Sequence, residues 1–222
     1  VVYQGIHEGF EAPIAIKCLK LPPHFDRAAQ DALVAKLREE GRLLLRLSQR
    51  TSGILQALDV GSFTAPGGAC VPYLILEWLE GRTLAEELRA RKARHEPGMS
   101  LREAFKLLTP AARALAVAHE DKIAHRDVKP ENLFLVEVDG RQTVKILDFG
   151  IAKVFADAPE PGDATTGIVT SAFTPSYGAP EQFQKKRGAS GPWTDVFAMA
   201  LVLVEMVTGK RALAGTDMID LF

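Results

Sequence analysis

A short segment of the chain concentrates side chains that could do chemistry: residues 125–132, which read HRDVKPEN. It contains the carboxylate of Asp127, the ammonium group of Lys129 and the amide of Asn132. Pro130 excludes a regular helix here, so we predict a loop. A carboxylate in such a loop can accept the proton of an incoming hydroxyl group, and a nearby lysine can neutralise a phosphate during its transfer.

Two strand-like segments follow this loop and lead to a second carboxylate. Residues 133–136 and 143–147 are rich in β-branched and other large apolar residues, and the Asp139-Gly140 pair between them is a hairpin turn signal. The predicted hairpin therefore begins beside Asn132 and ends beside Asp148. Both side chains offer the hard oxygen ligands that Mg²⁺ prefers, which indicates a site for a metal-bound phosphate.

At these residues the sequence resembles the protein kinase family. Residues 125–132 match the catalytic loop motif H-R-D-L-x-x-x-N, residues 148–150 match the metal-binding D-F-G motif, and residues 179–181 match A-P-E. A lone His-Arg-Asp turn or Asp-Gly hairpin is common, but the motifs in this order are specific. The resemblance implies an α+β, two-lobed protein kinase-like fold, with a small β-rich N-lobe over residues 1–79 and a larger α-helical C-lobe over residues 80–222.

The resemblance also implies an ion pair in the N-lobe. Ile14-Ala15-Ile16-Lys17 is similar to the V-A-I-K strand, so Lys17 would hold the α- and β-phosphates of ATP. Its partner in the family lies on the next helix, which leucines at helical spacing predict over residues 27–47. Glu40 falls on that apolar stripe. A carboxylate buried within the stripe needs a cation as its partner. The alternative is that the Glu40 side chain lies at the edge of the stripe and extends into solvent.

ATP and Mg²⁺ are the cofactors that the resemblance implies. Residues 72–79 would lead into the hinge between the lobes, with Leu76 as the gatekeeper and the backbone of Glu77 and Leu79 bonded to adenine. The implied nucleotide-binding residues are Val2, Ala15, Lys17, Leu76, Glu77, Leu79 and Phe134. The implied metal ligands are Asn132 and Asp148, and the implied catalytic residues are Asp127, Lys129, Lys17 and Glu40.

A long loop is predicted after the D-F-G motif. Residues 151–177 are rich in small and helix-breaking residues and lack any sustained period. By the resemblance this is the activation segment, and Arg126 would pair with a phosphate on it. The candidate phosphorylation sites are Thr165, Thr166, Thr170 and Ser171. Composition alone favours a solvated linker, which is the alternative.

Apolar patterns predict the helices of the C-lobe. A stripe that includes Phe105 and Ala112 predicts a helix from about residue 101 to residue 119. Thr194-Asp195 is expected to cap a helix over residues 196–208, whose nearly all-apolar sequence predicts burial on every side. By the resemblance, Asp195 anchors the backbone of the catalytic loop.

Composition excludes some partners. With 27 basic and 28 acidic residues among 222, the chain has no global charge that would favour nucleic acid or an anionic membrane, and we predict neither as a partner. Cys18 and Cys70 form no spaced framework, which indicates a reducing compartment. No apolar run is long enough to span a bilayer, so we expect a cytoplasmic domain, whatever anchor the natural protein carries elsewhere.

The expected function is that of a serine/threonine protein kinase, which transfers the γ-phosphate of ATP to serine or threonine hydroxyls of proteins. Lys129, two positions after Asp127, points to this type within the family. The expected partners are a protein substrate and a second kinase copy for trans-autophosphorylation. Two alternatives stay open: a pseudokinase that binds nucleotide or acts as a scaffold, which the intact catalytic set disfavours, and a small-molecule phosphotransferase, which the A-P-E motif disfavours.

We expect the chain to contain a kinase domain that is incomplete at both ends. The Gly-rich loop that precedes Val2 in the family has no counterpart, and the last C-lobe helices would lie beyond Phe222. In the family Glu181 pairs with an arginine from those helices. We therefore expect Glu181 to lack that partner, and the isolated chain to aggregate and to be inactive.

Overall fold

The computed structural model of the chain describes residues 1–19, 27–66, 68, 70–149 and 175–213. Seven strands lie in this part of the chain: β1 Val2–His7, β2 Ala12–Cys18, β3 Ala57–Thr64, β4 Cys70–Glu77, β5 Gly81–Thr83, β6 Leu133–Val138 and β7 Arg141–Ile146. Its α-helices are α1 Arg27–Arg50, α2 Leu84–Ala93, α3 Leu101–Glu120, α4 Pro180–Phe183 and α5 Pro192–Thr208. The fold is α+β, and none of the described helices is long and apolar enough to cross a membrane.

The described residues form two compact units. The first contains residues 1–50 and 55–79, and the second contains residues 51–54, 80–149 and 175–213. In the first unit, four antiparallel strands form a sheet in the order β1-β2-β4-β3. In the second unit, β5-β6-β7 form a small sheet, and α3 lies between β7 and α5.

Helix α1 packs against one face of the four-stranded sheet because its leucines repeat at helical spacing. Leu37, Leu44 and Leu47 are at most 3% exposed, which confirms this part of the predicted stripe. Gly41 allows a close approach, since a Cβ there would lie 3.4 Å from both Leu74 Cδ1 and Val60 Cβ. The side chains of Leu33 and Glu40 lie outside the described residues.

Side-chain caps start α2 and α3 in the second unit, where Thr83 and Ser100 each stand three positions before a glutamate, the sequence signal of a capping box. Thr83 and Glu86 form a complete capping box at α2, in which each side chain bonds the backbone N–H of the other residue. At α3, the Ser100 hydroxyl accepts the N–H of Glu103 at 3.2 Å. The Asp139-Gly140 hairpin is also confirmed: both residues have positive φ, between β6 and β7.

The buried face of α3 differs from the predicted one. Phe105 is 53% exposed and Ala112 is exposed as well, so the predicted stripe is wrong at these two positions. The helix instead buries a face rich in alanine, which lets its backbone approach β7 and α5 closely. The buried residues are Ala104, Leu107, Leu108, Ala111, Ala114, Leu115 and Ala118.

Helix α5 corrects two further predictions. It begins at Pro192 with Gly191 as the N-cap, so Thr194 and Asp195 lie in its first turn and do not precede it. It is also not buried on every side, because Trp193 is 59% exposed and Val196 is 64% exposed. Gly209 has a φ of 68° and ends the helix in the left-handed conformation that favours glycine.

Candidate active site

Asp195 is fully buried and holds the start of the catalytic loop. Its Oδ2 accepts the backbone N–H of His125 at 2.8 Å, and its Oδ1 accepts the backbone N–H of Arg126 at 2.6 Å. The Nε2 of His119, at the end of α3, donates a third hydrogen bond at 2.7 Å. A buried carboxylate is tolerated because three donors replace its water.

His125 connects the catalytic loop with the segment that carries Asp148. Its ring is 2% exposed; Nδ1 accepts the backbone N–H of Asp127 at 3.2 Å, and Nε2 donates to the carbonyl of Leu147 at 2.8 Å. One nitrogen must accept and the other must donate, so these bonds assign the neutral tautomer with the proton on Nε2. The Phe149 ring packs against it edge-on, with centroids 4.7 Å apart.

Arg126 and Asp148 share a backbone conformation that is uncommon outside glycine. Their φ values are 66° and 52°, in the left-handed region. Such strain persists where surrounding bonds determine it, and it concentrates at functional sites. The guanidinium of Arg126 donates from Nη2 to the carbonyl of Ser190 at 3.4 Å, while its buried Nε has no hydrogen-bond partner within the described residues.

The structure brings Asp127, Lys129 and Asn132 into direct contact. Lys129 Nζ lies 2.7 Å from Asp127 Oδ2, and Asn132 Nδ2 donates to the same oxygen at 2.9 Å and to the Asp127 carbonyl at 2.8 Å. The side chains of Asp127 and Lys129 are 19% and 15% exposed, so the carboxylate is oriented and still open to solvent. The N–H of Leu147 donates to the carbonyl of Asn132 at 2.8 Å, which brings the backbone next to Asp148 close to this cluster.

The residues of the A-P-E region pack against the catalytic loop. Gln182 donates from Nε2 to the carbonyl of Arg126 at 2.8 Å. The Tyr177 hydroxyl donates to the Glu205 carboxylate, and burial together with this carboxylate raises the pKa of Tyr177 well above its ordinary value. Arg211 lies near both residues, with its Nε 3.9 Å from Glu205 Oε1 and its Cζ 5.9 Å from the centroid of the Tyr177 ring.

Glu181 is partly buried, and its described partner is a hydroxyl group. Thr194 Oγ1 donates to Glu181 Oε1 at 2.7 Å and accepts the N–H of Gly191 at 3.0 Å. The expectation that Glu181 lacks the arginine partner of the family stays a prediction.

Four of the residues predicted to face a nucleotide lie on one face of the sheet in the first unit: Val2, Ala15, Lys17 and Leu76. Val2 pairs with Lys17 and Ala15 pairs with Leu76, and paired residues of antiparallel strands point to the same side. Lys17 also pairs with Leu74, which lies under α1 near Gly41. The sheet face that carries Lys17 is therefore the face that α1 covers.

The other predicted site residues are placed as follows. The N–H of Glu77 donates to the carbonyl of Gln56 at 3.0 Å, and Leu79 is half-buried just after β4. In the second unit, Phe134 is half-buried on β6, opposite Lys145 of β7. The Glu40 side chain and the four candidate phosphorylation sites lie outside the described residues.

Two residues of this arrangement were missed by sequence reasoning. His119 lies at the end of α3, and no signal in the sequence indicates its bond to Asp195. Gln182 stands at the third position of α4, where a glutamine signals a capping box, but Ala179 at the N-cap lacks the hydroxyl that completes the signal.

The sequence model of the protein kinase domain matches residues 1–220 of this chain. The chain belongs to the protein kinase family. It is 34% identical to the serine/threonine-protein kinase PknA of Mycobacterium tuberculosis (strain ATCC 25177 / H37Ra), over 96% of this chain and 45% of that protein. It is 32% identical to the probable serine/threonine-protein kinase PknB of Corynebacterium glutamicum, over 91% of this chain and 28% of that protein.

PknB of the same Mycobacterium tuberculosis strain is 30% identical, again over 91% of this chain and 29% of that protein. The chain thus spans less than half the length of these relatives.

Proposed function

We propose that the natural protein containing this chain transfers the γ-phosphate of ATP to serine or threonine hydroxyls of protein substrates. The observation that carries the proposal is the contact of Asp127 with Lys129 and Asn132, on a loop whose backbone is held by Asp195. The similarity to serine/threonine-protein kinases over more than nine-tenths of the chain supports it.

Asp127 orients the substrate hydroxyl and accepts its proton. The hydroxyl oxygen forms a bond to the γ-phosphorus while the bond from that phosphorus to the β-phosphate oxygen breaks, and the proton passes to Oδ1 or Oδ2 of Asp127. Lys129, 2.7 Å from this carboxylate, neutralises charge on the transferred phosphoryl group.

Mg²⁺ fits the donor set of Asn132 and Asp148. The Asn132 nitrogen donates to Asp127, so its carbonyl oxygen is the end that can bind a cation, and Asp148 adds a carboxylate. The metal, when bound with ATP, would neutralise phosphate charge; the chain's own part is to hold these two oxygen ligands next to the catalytic loop.

The remaining nucleotide contacts are proposed from the resemblance. Lys17 would bind the α- and β-phosphates and pair with Glu40. The residues around adenine would be Val2, Ala15, Leu76, Leu79 and Phe134, with Glu77 bonding through its carbonyl because its N–H donates to Gln56. The two units would then act as the two lobes of the kinase, in the cytoplasm where ATP is available.

We further propose that phosphorylation regulates this activity. A phosphate on Thr165, Thr166, Thr170 or Ser171 would pair with Arg126, and a second copy of the kinase would add it in trans. The buried Nε of Arg126 is a donor that such an anion can satisfy.

The test is phosphotransfer by the full-length natural protein with ATP and Mg²⁺. We expect serine- and threonine-containing peptides to be labelled and small-molecule acceptors not to be. Lys17→Met and Asp127→Asn should each lower turnover by at least about a hundred-fold with the unfolding midpoint unchanged. Transfer within a few fold of the parent would disprove these roles, and nucleotide binding without any transfer would favour the pseudokinase alternative.

A further inference from the structure

Gln182 links two backbone groups that belong to distant parts of the chain. Its Oε1 accepts the N–H of Ala179 at 2.9 Å, and its Nε2 donates to the carbonyl of Arg126 at 2.8 Å, 56 positions away. An amide can be placed in either orientation, but here one neighbour is a donor and the other an acceptor. The two ends of the Gln182 amide are therefore assigned without ambiguity.

The carbonyl that Gln182 holds belongs to the strained residue of the catalytic loop. Arg126 has a φ of 66°, and its own N–H is held by Asp195 Oδ1 at 2.6 Å. The backbone of Arg126 is thus restrained on both sides, by a carboxylate at its nitrogen and by an amide at its carbonyl. The peptide bond that Gln182 orients leads directly to Asp127, whose N–H donates to His125 Nδ1.

A purely local role for Gln182 would be helix capping. Ala179 is the N-cap of α4 and Gln182 is the third helical residue, which is the position from which a side chain caps the N-cap N–H. Capping requires only Oε1. The bond from Nε2 to Arg126 adds nothing to the cap, and Gln182, Gly178 and Asp127 line the same small cavity.

We propose that Gln182 is a positioning residue that sets the orientation of the peptide between Arg126 and Asp127. It thereby couples the A-P-E segment to the catalytic carboxylate, so that a displaced segment misorients Asp127. The proposal rests on the proposed function, since it assigns Gln182 a role in the geometry of phosphotransfer.

Gln182→Glu separates positioning from capping. The introduced carboxylate keeps an acceptor for Ala179 and suits a helix N-terminus, but it removes the donor to Arg126 and sets negative charge against that carbonyl. We expect kcat of the full-length natural protein to fall by about ten- to a hundred-fold, with KM for ATP and the unfolding midpoint unchanged. Gln182→Met removes both bonds and should lower kcat by a similar factor.

The matched control is Gln184→Glu. Gln184 lies two positions further along the chain and is exposed, and its Oε1 accepts the Nε–H of Arg187 at 2.9 Å. The variant adds the same charge as Gln182→Glu but removes no bond to Arg126. Its kcat should equal that of the parent.

The pH profile provides a readout that a structural role would not move. A protonated carboxyl group can donate to the Arg126 carbonyl as the amide does, so the kcat of Gln182→Glu relative to the parent should rise as the pH falls. The ratio for Gln182→Met should stay flat. Parent-like kcat for Gln182→Glu at neutral pH would overturn the proposal and leave capping as the role of Gln182.

Hydrogen exchange tests the proposal independently of activity. In Gln182→Glu the amide of Asp127 should exchange faster than in the parent while that of Ala179 stays protected; in Gln182→Met both should exchange faster. If the parent transfers no phosphate, the proposed function fails, and these amides still decide the role of Gln182. An unchanged exchange rate at the amide of Asp127 in both variants would overturn the positioning role of Gln182.

Discussion

The catalytic loop is held by a charge that is completely buried. Asp195 is 0% exposed and accepts bonds from two loop N–H groups and from His119. A buried carboxylate costs several kcal/mol unless donors surround it, and here the donors are the groups whose positions matter for Asp127. Stability and active-site geometry are therefore coupled through one side chain.

Asp195→Asn tests this coupling. The introduced NH₂ group would face N–H donors, so at least one buried donor loses its acceptor. We expect a loss of about 3 to 5 kcal/mol in the free energy of unfolding, measured by urea denaturation at low protein concentration, and a large fall in phosphotransfer.

The control is Asp139→Asn at the exposed hairpin turn, where φ is 50° and asparagine is well tolerated. It should change stability by less than about 0.5 kcal/mol. Equal effects of the two substitutions would show that Asp195 is not the anchor of the loop.

Sequence reasoning predicted the contacts of the candidate site whose residues are close together in the chain. Asp127, Lys129 and Asn132 lie within one short segment, and the turn and strands that follow carry strong local signals. His119 and Gln182 act across 76 and 56 positions, and no local pattern reports which carboxylate or carbonyl they will meet. The missing information was tertiary, because it concerned which faces of α3, α4 and the loop come together.

The same distinction explains the errors in the helices. In α3 the prediction gave weight to the large residue Phe105, whereas close packing against β7 and α5 selects the alanine-rich face. In α5 the all-apolar composition concealed the difference between Val202, which is 0% exposed, and Val196, which is 64% exposed. The Asp139-Gly140 turn was predicted correctly because its signal lies in neighbouring residues, whereas the cap predicted for α5 was misplaced.

Substitutions on α3 measure which face is buried. Phe105→Ser should cost less than about 1 kcal/mol, because the ring is 53% exposed. Leu107→Ala should cost about 2 to 5 kcal/mol, because Leu107 is 6% exposed and its removal leaves a cavity. Urea denaturation of the two variants provides the comparison, and the reverse order would restore the stripe that the sequence predicted.

The capping box of α2 makes a pH-dependent contribution to stability. Hydrogen bonds from the backbone N–H of Thr83 and, to a lesser extent, from its hydroxyl hold the pKa of Glu86 below its ordinary value of 4.5. A lowered folded pKa means that the contribution is present above the unfolded pKa and is lost as the pH falls through the folded one. The loss should therefore occur below about pH 4.5.

Glu86→Gln measures this contribution. At pH 7 the variant should be less stable by about 0.5 kcal/mol, the low end for a cap, because Glu86 is exposed and solvent screens its charge. The difference should vanish at a pH below the folded pKa. The exposed Glu137→Gln on β6 serves as control, and a difference for Glu86→Gln that does not depend on pH would exclude the charged cap.

The second unit of the molecule presents an apolar face on α5. Trp193, Val196 and Val204 are 59%, 64% and 41% exposed and repeat at helical spacing, whereas Val202 and Met206 on the opposite face are fully buried. Among the described residues nothing covers this face, and exposed apolar patches of this kind favour association.

We expect the 222-residue chain on its own to self-associate through this face. Sedimentation over a range of protein concentrations should show association that added salt does not weaken, because burial of apolar surface drives it. Val196→Lys combined with Val204→Lys should shift the chain towards the monomer with an unchanged circular dichroism spectrum. Val202→Lys, which puts a charge into the core, should unfold the unit. A parent chain that is monomeric at every concentration would show that this face of α5 does not drive association.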